Sequence, residues 1–149
     1  MRWATRMWWV SAGLLSAAAC SNGDHEPVEP GNDLAAVQVS LDQPFRLRIG
    51  QSATLPGTGI TLTFDGVTED SRCPTDVTCV WAGNARLALQ GHDAAGDRRI
   101  ELNTTTEPKA AMIGGLRIEV VVLMPETHSE THIRADAYTA TFRVTQASR

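Results

Sequence analysis

Beyond its first twenty residues the chain lacks any stretch that keeps helical periodicity for more than two turns. Its most apolar run, Met7 to Ala19, falls short of the roughly twenty residues that a membrane-spanning helix requires. The 149 residues include a single lysine, Lys109, and the only adjacent basic pair is Arg98-Arg99. Phosphate recognition needs a clustered basic face, so no nucleic-acid role is expected. Also missing are a nucleophile elbow, an HExxH pair, a phosphate-binding glycine loop and, within the folded part, a lone reactive cysteine. Ser71 and Ser129 have acids and histidines near them in sequence, but nothing in their spacing marks a triad. No enzymatic activity and no cofactor are therefore expected.

What is present begins with an address. Arg2 and Arg6 precede the apolar run, which ends in Ala17-Ala18-Ala19-Cys20, so residues 1–19 have the layout of a signal peptide. A cysteine directly after small residues resembles the lipobox of bacterial lipoproteins, although Ala17 stands where such boxes usually carry leucine. The chain has three cysteines, and Cys73 and Cys79 lie close together, which leaves Cys20 over. Acylation of Cys20 would cap the odd thiol. The expectation is a lipid-anchored protein of the bacterial cell envelope, facing the periplasm or the surface. With Ser21 next in sequence, the outer membrane is favoured over the inner. Ordinary cleavage after Ala19, giving a soluble secreted product, is the rival. Without Arg2 and Arg6, 11 basic residues face 17 acidic ones, a net charge near −6.

Residues 20–43 are rich in Pro, Gly, Asn, Asp and Glu and read as a flexible tether with an r.m.s. reach of roughly 25 Å. From residue 44 to 149 the dominant period is two, as expected of strands with one buried face. Phe45, Leu47 and Ile49 form one such face, and Ile60, Leu62 and Phe64 another. Strands are predicted over Val80–Gln90, Arg98–Leu102, Leu116–Leu123 (Leu116, Ile118, Val120 and Val122 inward) and Tyr138–Thr145. Gly- and Pro-containing turns separate them. Six to seven short strands imply an all-β domain, a small antiparallel sandwich or barrel.

The densest chemistry is Ser71-Arg72-Cys73-Pro74-Thr75-Asp76-Val77-Thr78-Cys79-Val80-Trp81-Ala82-Gly83. This resembles the S-R-C-P-x-x-V-x-C-x-W-x-G motif of a family of small, uncharacterised bacterial exported domains and lipoproteins, with a late Pro and Tyr matched by Pro125 and Tyr138. The resemblance implies a β domain in the envelope and transfers no activity. Physically, Cys73 and Cys79 are expected to close a small ring, stiffened by Pro74. Trp81 is expected to open the next strand and cover the disulfide, and Gly83 to mark a bulge or a close backbone approach. Two functional alternatives compete with this structural reading. The ring could display Arg72 and Asp76 to a protein partner in the envelope, including as a protease-inhibiting surface. Alternatively, Asp65, Glu69, Asp70 and Asp76 could ligate Ca²⁺, though in no known loop spacing.

A further candidate lies in Met124-Pro125-Glu126-Thr127-His128-Ser129-Glu130-Thr131-His132. Met124, His128 and His132 form a donor set suited to copper or zinc if a fold brings them together. Solvated loop histidines are the plainer reading, since the i, i+4 spacing has no fixed meaning off a helix. His25 and His92 stand alone, in the tether and in a turn. The sequence thus points to an envelope lipoprotein whose stapled β domain is a structural or binding module, with metal binding as the alternative.

Overall fold

The computed structural model describes residues 35–147. Cys20, the signal peptide and most of the tether stretch lie outside the described residues. Nine strands follow one another: β1 (Val37–Gln38), β2 (Phe45–Arg48), β3 (Ser52–Leu55), β4 (Ile60–Asp70), β5 (Ala85–Asp93), β6 (Gly96–Asn103), β7 (Ala110–Ile113), β8 (Leu116–Met124) and β9 (Thr139–Gln146). One 3-10 turn, Ala135–Ala137, precedes β9, and no α-helix occurs among the described residues.

The strands form two sheets, in the orders β1-β3-β4-β5-β6 and β2-β9-β8-β7. They do not close into a barrel, so of the two expected architectures the two-sheet one is found. The first sheet is not wholly antiparallel: β1 pairs parallel to β3, with Val37 opposite Ala53. That pairing lies inside the stretch read as tether, and Val39 just after it is buried. The weak apolar patch around Val37 and Val39 therefore belongs to the folded domain. Alternation explains the common core, because each strand sends every second side chain inward. Leu47, Leu62, Phe64, Leu87, Leu89, Ile118, Phe142 and Val144 are fully buried. Phe64 of the first sheet meets Phe142 of the second edge-on, with ring centroids 5.6 Å apart, a geometry that adds about 0.5–1.5 kcal/mol beyond burial.

Two departures from simple alternation shape the end of the domain that carries the β4–β5 connection. In β8 a bulge between Val120 and Val122 interrupts the pairing with β9. One extra residue exchanges the two faces of a strand. Leu123 is consequently buried, while Val122, expected inward, is 44% exposed. In β4 two irregularities, at Phe64/Gly66 and Val67/Glu69, carry the strand past the core toward Asp70. The first sheet also departs from expectation at β5, which starts at Ala85 and not at Val80, so Val80–Asn84 belong to the loop before it.

The few buried polar groups hold turns. Asp93 accepts hydrogen bonds from the Ala95 and Gly114 amides (2.8 and 2.9 Å) and from Arg98 (2.7 Å), tying the β5–β6 turn to the β7–β8 turn across the two sheets. The Ala95 amide is the main reason its carboxyl titrates below the usual range. Burial opposes this, and the Gly114 amide and the Arg98 and His92 charges add to it.

Candidate functional site

The connection from β4 to β5, Ser71–Asn84, holds the motif and projects from the ends of both strands. Its base continues the strand pairing. Beyond the last paired residues, Asp70 and Ala85, the Ser71 amide donates to the Asn84 carbonyl (2.7 Å) and the Cys73 amide to the Ala82 carbonyl (3.0 Å). The disulfide Cys73–Cys79 then closes the loop, with Cα atoms 6.0 Å apart. The Val77 amide donates to the Pro74 carbonyl (3.4 Å), forming a turn inside the ring. Gly83 sits at φ +70° with its backbone packed on Ser71 and Arg72. A Cβ there would collide with the Ser71 carbonyl oxygen and lie 2.7 Å from that carbonyl's carbon. Only glycine fits this approach.

Arg72 points inward. Its guanidinium grips Asp70 with Nε to Oδ1 at 2.8 Å and Nη2 to Oδ2 at 2.7 Å, and donates to the carbonyls of Leu123 (2.8 Å) and Pro125 (2.9 Å). The pair is largely covered, with 15% and 10% side-chain exposure for Arg72 and Asp70. Tyr138 completes it, its hydroxyl donating to Asp70 Oδ2 at 3.0 Å. Burial disfavours the Asp70 carboxylate, but the Arg72 hydrogen bonds and charge and the Tyr138 hydroxyl outweigh it and hold the carboxyl below its ordinary range. Burial, then the hydrogen bond to Asp70 and its charge, push the Tyr138 phenol upward. This knot joins the ends of β4 and β8 to Tyr138, the residue before β9, and it also caps an open edge. β7 pairs with β8 only as far as Glu119, so Val120–Met124 have no strand neighbour on that side among the described residues. Arg72 occupies the Leu123 carbonyl there.

The segment after β8 grips the first half of the loop. The Thr75 amide donates to the Thr127 carbonyl (2.8 Å), and the Thr127 hydroxyl donates to the Cys73 carbonyl (3.1 Å). Asp76 accepts from the Ser129 amide (2.9 Å) and hydroxyl, which hold its carboxyl below the usual range, the hydroxyl foremost. On the other side Asn84 accepts the amides of Thr105 (3.0 Å) and Thr106 (3.4 Å) and donates to Asn103 (2.8 Å). A depression of about 330 Å³ separates the loop from β8, lined by Arg72, Cys73, Thr75, Val121, Val122 and Thr127 among others.

The second half of the loop is bare. Val77 is 48%, Val80 90% and Trp81 82% exposed. The expectation that Trp81 covers the disulfide is thus corrected: with β5 starting at Ala85, the ring has no sheet face to turn toward and stands in solvent. Arg72 is corrected in the opposite sense: expected on display, it is turned inward onto Asp70. Asp76 does stay exposed, with its carboxylate bonded to Ser129. The Ca²⁺ set fails, since Asp70 pairs with Arg72, Glu69 with Arg86 (3.0 Å) and Asp76 with Ser129.

The histidine alternative finds no geometric support. His128 and Thr131 form a local bridge, and the His128 Nδ1 lies 3.1 Å from the Thr75 hydroxyl. Met124 borders the depression beside β8, whereas His132 borders another, beside Asp70 and Tyr138. Among the described residues no three His, Cys, Asp or Glu side chains converge to hold a metal ion. His92 pairs with Asp97 at 2.7 Å in the β5–β6 hairpin. Sequence reasoning missed Asp70 and Tyr138 as partners of Arg72. Asp70 lies two residues away, but Tyr138 is brought in only by the pairing of β8 with β9, which no local signal announces.

The scan against protein-family models finds no match for the chain, and neither curated proteins nor solved structures yield one.

Proposed function

We propose that the chain is an exported envelope protein, lipid-anchored through Cys20, whose β domain works as a binding module with the Cys73–Cys79 loop as its contact surface. One observation carries the reading: Val80 and Trp81 are 90% and 82% exposed on a loop whose base is fixed by a disulfide, a charged pair and backbone bonds. A fixed loop binds without an ordering cost, and tryptophan is the residue most enriched at the energetic centre of contact surfaces. The signal-peptide layout of residues 1–19, the odd cysteine count that leaves Cys20 over and the resemblance of Ser71–Gly83 to an exported-domain motif support the location. The domain then acts by contact, with no chemistry of its own.

The test is a photocrosslinker placed in the exported protein at Thr78, in the bare half of the loop, and separately at the exposed Arg99, on the outer strand β6. Capture of envelope protein or lipid is expected at Thr78 well above that at Arg99. Equal capture at both would remove the loop from its proposed role.

A further inference from the structure

We propose that the occupant of the loop tip is a lipid surface: Val77, Val80 and Trp81 enter the headgroup region of the bilayer to which Cys20 would tether the domain. The inference rests on the export and anchoring reading above for its location, and on the loop itself for its chemistry. Three observations favour lipid over a folded protein. The tip, Val77-Thr78-Cys79-Val80-Trp81-Ala82-Gly83, contains no charged residue, and its large apolar side chains Val80 and Trp81 are 90% and 82% exposed. Tryptophan prefers the boundary between water and acyl chains, where its ring is buried and its N–H stays wet. The tip also protrudes, with Val80 90% exposed, and a protruding apolar point enters a soft phase without a matching pocket. The third observation is charge. The Ser71–Asn84 loop and the Ile118–Ile133 stretch beside it hold one basic residue, Arg72, which is committed to Asp70, while Asp76, Glu126 and Glu130 are exposed. Recruitment by anionic headgroups is therefore disfavoured, and apolar insertion is left as the driving term.

The distance is compatible. Sixteen residues separate Cys20 from Val37, the start of β1, and sixteen residues span at most about 55 Å when extended. A domain held that close to a bilayer meets it at high effective concentration, so a weak insertion suffices. The disulfide and the Arg72 knot keep the tip in shape before contact, which spares the ordering cost a flexible loop would incur.

The chain from Ser21 to Arg149 retains every described residue and lacks the acylation site, so its behaviour is independent of whether Cys20 is modified. It also holds one tryptophan, Trp81, because the other three are Trp3, Trp8 and Trp9. With phosphatidylcholine vesicles at millimolar lipid, Trp81 emission is expected to shift to the blue and to be quenched by lipids brominated in the acyl chain. Trp81→Ala should lower vesicle cosedimentation by about tenfold. Val80→Asp keeps the reporter and the fold, and its emission should stay unshifted. Adding anionic lipid should not strengthen the association. Unshifted, unquenched emission from the unsubstituted chain overturns the proposal, as does binding that needs anionic lipid or survives both substitutions. A Thr78 crosslink to an envelope protein combined with silent vesicles assigns the tip to a protein and rejects lipid. Failure of anchoring is read separately, as an N-terminus without added lipid mass in the full chain.

Discussion

The two ends of the Ser71–Asn84 loop are built on opposite principles. At the base every strongly polar side chain has a partner inside the protein: Arg72 holds Asp70 and two carbonyls, Asp76 holds Ser129, and Asn84 holds the Thr105 and Thr106 amides. At the tip, large apolar side chains have solvent around them. A loop selected only for stability would reverse this, turning tryptophan to the core and arginine to water. On the proposed reading, the base supplies rigidity and the tip supplies contact. Stability and contact are therefore separable by substitution, residue by residue.

Within the loop, the largest effect is expected at the base. Arg72→Ala leaves the covered Asp70 carboxylate and the Leu123 and Pro125 carbonyls without their donor and should cost about 2–3 kcal/mol, measured by urea denaturation. A loss no greater than that of an ordinary surface substitution would show that water replaces the guanidinium. Next comes the staple. Replacing Cys73 and Cys79 by serine should cost about 2 kcal/mol, the chain-entropy value for so short a ring. It should also broaden the environment of Trp81, which separates rigidity from exposure.

A smaller effect is tied to pH. Asp70 has a folded-state pKa below its unfolded value, so its contribution is complete above about pH 4 and is lost as the pH falls through the folded value. Asp76 and Asp93 share this direction. Asp70→Asn should therefore lower stability at neutral pH and flatten, without abolishing, the fall in melting temperature between about pH 5 and pH 2. An unchanged acid limb would place the pH dependence elsewhere. The smallest effect belongs to the tip: Trp81→Ala should change stability by no more than about 0.5 kcal/mol, in contrast to Phe64→Ala in the core, expected to cost about 3–5 kcal/mol.

Strands are legible wherever large apolar side chains alternate without a break. Phe45 and Leu47, Ile60 to Phe64, and Ala140 to Val144 are buried as their period of two requires. β1 has two residues, and the four-residue β3 (Ser52-Ala53-Thr54-Leu55) and β7 (Ala110-Ala111-Met112-Ile113) lack the contrast of large apolar with charged side chains that marks β2. In β8 the pattern Leu116, Ile118, Val120, Val122 continues through the bulge although the inward phase does not, so the phase is lost beside the Ser71–Asn84 loop. The disulfide could be found by counting cysteines, and Gly83 by its place after the ring. Trp81 misleads because aromatics are usually core residues, and nothing local says that β5 starts only at Ala85. The roles of Arg72 and Asp76 depend on Leu123, Pro125 and Ser129, some fifty residues away, which only the folded chain places beside them.

The most direct test of a fixed base with a displayed tip is the fluorescence of the Ser21–Arg149 chain in buffer alone, where Trp81 is the sole tryptophan. The account predicts emission at the water-exposed limit, free quenching by acrylamide, and little change in emission wavelength on unfolding in guanidinium, with near-rigid polarisation in the oxidised protein that loosens on reduction of Cys73–Cys79. Blue-shifted emission, shielded from acrylamide and moving to the red on unfolding, would place the ring against the domain and contradict it.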